Sequence, residues 1–502
     1  MRIPFPERIP LDRVAIFAVL LFVVQTVQGT ALYFSVGTLA FLIIATLAFN
    51  AGGGLTRVPG AYVFFYSVLV FVLGIIYKAL RWEPAESNLR VPQTTIAVYV
   101  GGISAMFVAV LISRRLSRKV GLLQNLLHES KMYRASIGCL VFGFGGPFLI
   151  SLLGGPGARI NSAFSQLNQL LPLAIIIGTM YEIRRSGGKR SVNITVIVAL
   201  VYVFVFFGLI GFSKQGMLIS LYCWLVAAAA MRYSLSALQV VSLLAWTVII
   251  FTVLVPYSQW GRRETTDTMS SSDRLTLSIK LLSHPIELRE NYASIQTDDS
   301  NPFHYYNTPQ GFWDRLQFIA TDDSLNQITD RGSVFGYLPI TLSFMNAVPH
   351  VFMPDKPVFN FGNMYAHEIG GLPDEDTTTG ISFSPTAEAF HLGRWVGLMV
   401  VAPLIWLLLF FALDLLCGDL RASPWGLLVI ALLSHVAPEQ GIEGCIYMVT
   451  FGVEIVVFCA FFTSYVAPYF SIAVLGQAKP KLPPFRTALA IPRDESPLHH
   501  AE

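Results

Sequence analysis

Charge is scarce in this chain. Only 13% of its residues are Asp, Glu, Lys or Arg, and the mean hydropathy is +0.59. Soluble domains typically carry about 25% charged residues, so a water-soluble globular class is excluded. The net charge of +3 is also too small to indicate a nucleic-acid partner. These absences indicate an integral membrane protein.

Cysteine is equally sparse, and its placement excludes a disulfide framework. All five cysteines lie in or beside apolar segments, and none lies between residues 257 and 394, the longest polar stretch of the chain. A domain stabilised by disulfides would need them there, whichever side of the membrane this stretch faces.

Metal and cofactor signals are missing as well. The segment His367-Glu368-Ile-Gly-Gly lacks the second histidine of a zinc-protease helix. The acidic run Asp374-Glu375-Asp376 can bind a cation, but between proline and threonines it is more typical of a solvated loop. We therefore predict no metal and no cofactor.

Apolar runs fill most of the remaining sequence. A helix needs about 20 apolar residues to cross about 30 Å of hydrocarbon. The sequence predicts an all-α polytopic protein with about twelve spans: Leu11–Val27, Ala31–Phe49, Val58–Leu80, Thr94–Ser113, Ala135–Leu153, Ala163–Ile183, Val192–Phe212, Met217–Met231, Leu238–Pro256, Trp395–Cys417, Pro424–Val436 and Gly444–Tyr469.

Basic residues in the short connections predict the orientation. With twelve alternating spans, Arg114, Arg184, Arg232 and Arg421 fall on one side, which the positive-inside rule makes cytoplasmic. Four regions follow: nine spans in residues 1–256, a large periplasmic loop in 257–394, three spans in 395–470, and a disordered cytoplasmic tail in 471–502. Both termini are then cytoplasmic, in a bacterial inner membrane.

Cations on the predicted outer face form the first candidate site. Arg159, Lys214, Arg315 and Arg394 come from four separate stretches near helix ends or aromatic sequence. Snorkelling or pairing with a nearby acid explains each one alone. Together they suit a diphosphate, because guanidinium groups bind phosphate oxygens through paired hydrogen bonds.

Three segments resemble a known family. Gly380-Ile-Ser-Phe-Ser-Pro-Thr-Ala-Glu-Ala-Phe390 resembles the Ser-Pro-Thr-x-Glu-like element of bacterial oligosaccharide repeat-unit polymerases of the Wzy type. Val348-Pro-His-Val-Phe-Met-Pro-Asp-Lys-Pro357 is similar to their Lys-Pro element. Gly211-Phe-Ser-Lys-Gln-Gly-Met217 is similar to their Gly-Ser-Arg-Gly turn, although Lys214 replaces the arginine. The family's Arg-x10-Gly loop motif is not recognisable.

The resemblance implies a glycosyltransferase-C-like fold, related to the O-antigen ligase superfamily, and a reaction at the periplasmic face. There a hydroxyl of one lipid-linked unit attacks the anomeric carbon of another, and polyprenyl pyrophosphate leaves. The implied partners are polyprenyl-pyrophosphate-linked oligosaccharides as donor and acceptor, together with the bilayer. Whether a chain-length regulator binds stays open.

Site roles follow from that chemistry. Developing negative charge on the leaving group needs the four cations, without a metal. Glu388 is the candidate general base and His391 the second candidate. A first-turn carboxylate facing the helix dipole is an equal alternative for Glu388. Lys356, Tyr305 and Trp313 are further candidates for substrate contact, although the aromatic residues also suit an interfacial belt.

Two rival functions remain. An O-antigen ligase shares the leaving group, but ligases carry a His-Asn-x-x-Leu pattern where this chain has His391-Leu-Gly-Arg394. A transporter or flippase suits twelve spans, yet the chain shows no internal repeat, and a loop of this size is unusual for such a protein.

Overall fold

The computed structural model describes residues 1–118, 120–153, 165–265, 269–295, 304–308, 313–348, 353, 359–377 and 379–475. Within these ranges the protein is helical, and the one extended pairing is a single bridge between Arg2 and Ser234. The predicted all-α class is therefore confirmed for this part of the chain.

Helices account for about three quarters of the described residues. In chain order they are α1 Leu11–Val27, α2 Leu32–Ala51, α3 Val58–Leu80, α4 Pro92–Leu116, α5 Met132–Leu153, α6 Leu170–Arg185, α7 Ile194–Leu209, α8 Lys214–Ala230, α9 Ala237–Glu264, α10 Ser271–Ser283, α11 Pro285–Ile295, α12 Ile319–Asp330, α13 Leu338–Ala347, α14 Phe361–Glu368, α15 Pro385–Val396, α16 Ala402–Cys417, α17 Pro424–Glu439 and α18 Gly441–Ile472.

Six of the described helical stretches are long and apolar enough to cross a membrane, so this is a multi-pass membrane protein. They are α2, α3, α4, α9, the continuous stretch of α15 and α16, and α18. Each of the twelve predicted segments overlaps a helix, but six of them, those in α1, α5, α6, α7, α8 and α17, are not among these six stretches. The count of twelve spans therefore stays a prediction. Only 11% of the most apolar window of α9 is buried, as expected for a helix that faces lipid.

One end of the bundle, which we call the N-terminal end, is held together by contacts between distant connections. The Met1 ammonium donates to the Leu235 carbonyl at 2.8 Å, and Leu122 N donates to Leu415 O at 2.9 Å. Asp414, whose side chain is fully buried, accepts from both Arg57 at 3.3 Å and Arg114 at 3.4 Å. Basic residues thus gather at this end, where one buried carboxylate pairs with two of them.

The opposite end, which we call the capped end, is covered by residues of the 257–394 segment. This segment begins inside a helix, since α9 continues through Pro256 to Glu264. Tyr305, Tyr306 and Ile319 belong to the same hydrophobic core as the membrane helices. The segment is therefore built into the bundle and is not a separate folding unit in its described part.

Candidate functional site

The Ser-Pro-Thr-Ala-Glu element forms the first turn of α15. Ser384 is the N-cap, and its hydroxyl accepts from Ala387 N at 3.3 Å. Pro385 follows at the first helical position, where its missing N–H costs nothing and its fixed φ suits the helix. The sequence therefore starts a helix here with Glu388 in its first turn.

A buried hydrogen-bond network attaches this turn to three helices. Asp322 of α12 accepts from Tyr99 Oη at 2.6 Å through one oxygen and from Ser384 N at 2.9 Å through the other. Thr386 Oγ1 lies 2.9 Å from Tyr66 Oη and 3.0 Å from Ser384 Oγ. All five side chains are buried, so the network positions the start of α15 against α3, α4 and α12.

Asp323, the next residue, holds α12 against the start of α4. Its carboxylate accepts from Arg90 N at 2.6 Å, Val91 N at 3.2 Å and Thr95 Oγ1 at 2.7 Å. These bonds satisfy backbone donors at the start of α4. Burial raises the pKa of Asp323, and hydrogen bonds from Arg90, Thr95 and Val91 oppose that change.

Asp322 is buried more deeply, and burial raises the pKa of its carboxyl from 3.8 to about 6, against the opposing hydrogen bonds from Ser384 and Tyr99. Because the folded protein binds this proton more tightly than the unfolded chain, the Asp322 contribution to the free energy of unfolding falls as pH rises from about 4 to about 6. About two pKa units correspond to roughly 3 kcal/mol.

Asp322→Asn should remove this pH dependence. The wild-type free energy of unfolding minus that of the variant is expected to fall by roughly 2 kcal/mol between pH 4 and pH 6, which is most of the full change. Tryptophan fluorescence during urea or thermal unfolding of the purified proteins measures it, with the exposed Asp273→Asn as control. A difference that does not vary with pH would contradict the assignment.

Glu388 meets a second carboxyl at the start of α18. Its side chain is buried, and Oε2 accepts from Ile442 N at 2.9 Å. Glu443, which is also buried, lines the same cavity and accepts from Tyr365 Oη at 2.9 Å. Two buried carboxyl groups on one cavity repel each other when both are ionised, which favours a state in which the pair holds one proton.

Gly441 makes this approach possible. Its φ is +57°, in the left-handed region, and a Cβ at this position would overlap the Glu388 carboxylate. Glycine is the only residue that adopts this positive φ readily and also lacks a side chain that would overlap Glu388. The turn between α17 and α18 therefore allows Glu388 to reach the first free backbone donors of α18.

The glutamate pair lines a cavity of about 490 Å³ at the capped end, between the starts of α15 and α18 and the 257–394 segment. Its lining combines carboxylates, amides, small hydroxyl residues and aromatic rings: Ser343, Asn346, Phe359, Asn360, Phe361, Gly362, Gly380, Ile381, Ser382, Glu388, His435, Glu439, Gln440, Glu443, Gly444, Tyr447, Thr450 and Phe451. The described lining contains three carboxylates and neither Lys nor Arg. Pockets of about 300–1,000 Å³ typically hold small molecules.

His391, the second candidate base, is buried away from that lining. Its Nδ1 lies 2.9 Å from Thr329 Oγ1, and the ring packs edge-on against Phe335 with centroids 4.8 Å apart. Its Nε2 has no hydrogen-bond partner among the described residues. The structure therefore places Glu388 at the cavity and His391 between α12 and α15.

Arg394 caps the C-terminal end of α12 and interrupts the regular helical conformation of α15. Its guanidinium donates to the carbonyls of Thr329 at 3.2 Å and Asp330 at 3.1 Å, where a cation balances the negative end of the helix dipole. The residue has φ 53° and ψ −136°, a conformation that disfavours any side chain. These contacts direct Arg394 to α12, and it does not line the cavity.

The other predicted cations are not brought together by the described residues. Lys214 begins α8 after the N-cap Ser213, whose hydroxyl accepts from Gly216 N at 3.1 Å. Arg315 lies in the turn Trp313–Leu316, but its side chain falls outside the described part of the structure, as do Arg159 and Lys356 entirely. The four-cation pyrophosphate site therefore stays a prediction.

The predicted aromatic contacts lie against α3 instead of in the cavity. Tyr305 is fully buried, its hydroxyl donates to Ala85 O at 2.6 Å, and the Lys78 ammonium lies 4.2 Å from its ring centroid. Trp313 stacks on Tyr77 with centroids 4.4 Å apart and planes 13° apart. These contacts attach the 257–394 segment to the bundle, and a buried Tyr305 leaves no ring face for a sugar.

Sequence reasoning missed Asp322, Tyr365 and Glu443. The usable signal for Glu443 was a carboxylate at the start of an apolar run, where a charge is expensive unless paired or used. The signal for Asp322 was weaker, because an adjacent pair of acids in a polar segment is ordinarily solvated.

Comparison with protein-family models, with curated proteins and with solved structures finds no match to this chain. The resemblance to repeat-unit polymerases therefore depends on the quoted segments alone.

Proposed function

We propose that this protein is a membrane glycosyltransferase that joins polyprenyl-pyrophosphate-linked oligosaccharide repeat units. The observation that carries the proposal is the position of Glu388, which the polymerase-like element places in a cavity, paired with a second carboxyl. A buried carboxylate beside a second carboxyl group is suited to accepting a proton from a sugar hydroxyl, because burial and the neighbouring negative charge favour its protonated form. The aromatic and amide lining suits a sugar ring and its hydroxyls.

The reaction balances with these residues. A hydroxyl oxygen of the acceptor unit forms a bond to the anomeric carbon of the donor, and the bond from that carbon to the pyrophosphate oxygen breaks. The electron pair leaves with polyprenyl pyrophosphate, and the hydroxyl proton passes to Glu388. Tyr365 and Ile442 N, which donate to Glu443 and Glu388, stabilise the pair while its charge changes.

The leaving pyrophosphate requires positive charge. We assign this role to Arg159, Lys214 and Arg315, which the sequence places on the same predicted face. Arg394 contributes less directly, because its guanidinium already donates to two carbonyls of α12. Its part is to hold α12, and with it Asp322, beside the start of α15.

Orientation is part of the proposal. Arg57, Arg114 and Arg421 lie at the N-terminal end of the bundle, where Arg421 pairs with Glu7 at 2.6 Å. An accumulation of basic residues in short connections favours the cytoplasmic side for that end. The cavity then faces the periplasm of a bacterial inner membrane, where a lipid-linked pyrophosphate supplies its own activation.

A strain that lacks the gene tests the proposal. We expect glycans limited to one repeat unit, restored to a chain-length ladder by the intact gene, as seen on a gel of the purified glycan. Loss of ligated glycan of every length would instead indicate a ligase. Lipid-linked units trapped on the cytoplasmic leaflet would indicate a flippase.

A further inference from the structure

The cavity beside Glu388 has an unusual charge for a protein that handles anionic lipid carriers. Its described lining contains Glu388, Glu439 and Glu443 but no Lys or Arg. His435 lies 3.0 Å from Glu439, and both side chains are partly exposed at 31% and 42%. The pair of Glu388 and Glu443 carries a negative charge even when it holds one proton, so the described lining of the cavity is negatively charged.

The rest of the lining fits an uncharged polyol. Tyr447 is 45% exposed and shares the cavity with Phe359, Phe361 and Phe451, which offer apolar ring faces. The Gln440 amide both donates and accepts, as sugar hydroxyls do. The cavity thus has partners for hydroxyls and for the apolar face of a sugar ring, and its described lining has no lysine or arginine to balance the charge of a phosphate.

We propose that this cavity binds the acceptor sugar of the repeat unit and selects neutral or amino sugars over acidic sugars. The inference rests on the proposed glycosyl transfer and adds to it the substrate class. A carboxylate on the sugar would enter a site that already holds three carboxyl groups, and repulsion is strongest beside the buried Glu388 and Glu443. An ammonium group would meet those same carboxylates favourably.

Matched methyl glycosides test the charge selection directly. The full-length protein in nanodiscs would be examined by saturation-transfer NMR. The ligands would be methyl glucoside, methyl glucosaminide and methyl glucuronide, and the corresponding neutral, amino and acidic methyl glycosides of galactose and mannose. These ligands share a ring and differ in charge. We expect saturation transfer to the neutral and amino sugars, and binding of the uronide weaker by about tenfold or more.

Glu439→Gln provides the matched variant, because it removes one carboxylate from the exposed side of the cavity and leaves the buried pair intact. It should bring uronide binding measurably closer to that of the glucoside. Equal binding of all three sugars by the wild type would overturn charge selection and leave the transferase proposal standing. Saturation transfer to no sugar would overturn the cavity as a sugar site. A deletion strain with normal polymer, combined with charge-selective binding, would overturn only the transferase proposal.

Discussion

Glu388→Gln is expected to stop glycan elongation while the protein stays folded. The glutamine keeps an oxygen that accepts from Ile442 N, so the contact with α18 survives. It cannot take a proton from an acceptor hydroxyl, and loss of general-base catalysis typically lowers a rate by about 10²–10⁴-fold. The deletion strain that carries this variant should produce single-repeat glycan at wild-type protein levels.

The control for that experiment is Glu287→Gln, the same change at an exposed position of α11. It should leave the chain-length ladder unchanged. A normal ladder in Glu388→Gln as well would assign Glu388 a structural role, as the acceptor for Ile442 N in the first turn of α18. That alternative needs only the hydrogen bond, whereas catalysis needs the ionised oxygen.

Gly441→Ala should have the second large effect, on both stability and activity. The new methyl group would occupy space held by the Glu388 carboxylate, and φ at this position is +57°. Overpacking and an unfavourable backbone conformation together predict a loss of about 2–4 kcal/mol in the free energy of unfolding. If the fold survives by moving Glu388, polymer length should fall as it does in Glu388→Gln.

Gly187→Ala separates these two causes. Gly187 has nearly the same φ, +61°, but no atom lies within 4 Å of a Cβ built there. The free energy of unfolding of this variant should fall by only about 1 kcal/mol, the cost of the backbone conformation, and its activity should stay unchanged. Thermal unfolding followed by tryptophan fluorescence measures both variants. Equal destabilisation of the two would show that contact between Gly441 and Glu388 is unimportant.

The helices were predictable because they depend on local sequence. A long apolar run must form its own hydrogen bonds in lipid, so α2, α3 and α4 follow from composition alone. The start of α15 also follows local rules, since Ser384 and Pro385 are residues that begin helices, but the predicted span began ten residues later, at Trp395. Glu388 was identified as a candidate base through the resemblance of its segment to repeat-unit polymerases.

The partners of Glu388 were not predictable, because they come from distant parts of the chain. Ile442 follows it by 54 positions, and Tyr99 precedes Asp322 by 223. No local pattern specifies which polar residue of one helix meets which residue of another. The buried network around Ser384 therefore emerges only in three dimensions.

The predicted cluster of cations was difficult to judge from sequence for a different reason. Each positive side chain has several ways to satisfy its charge, and a helix C-terminus is one that sequence does not reveal. Arg394 donates to the carbonyls of Thr329 and Asp330, residues that were not suspected as its partners. A prediction that several cations bind one phosphate group is therefore weaker than a prediction of where a helix starts.

Transfer by the purified protein tests the central claim most directly. Lipid-linked single repeat units from the deletion strain would be added to proteoliposomes that contain the wild-type protein or Glu388→Gln. The account predicts a ladder of longer lipid-linked glycans with release of polyprenyl pyrophosphate from the wild type, and single units with the variant. Unchanged single units with the wild-type protein, or equal ladders from both proteins, would contradict it.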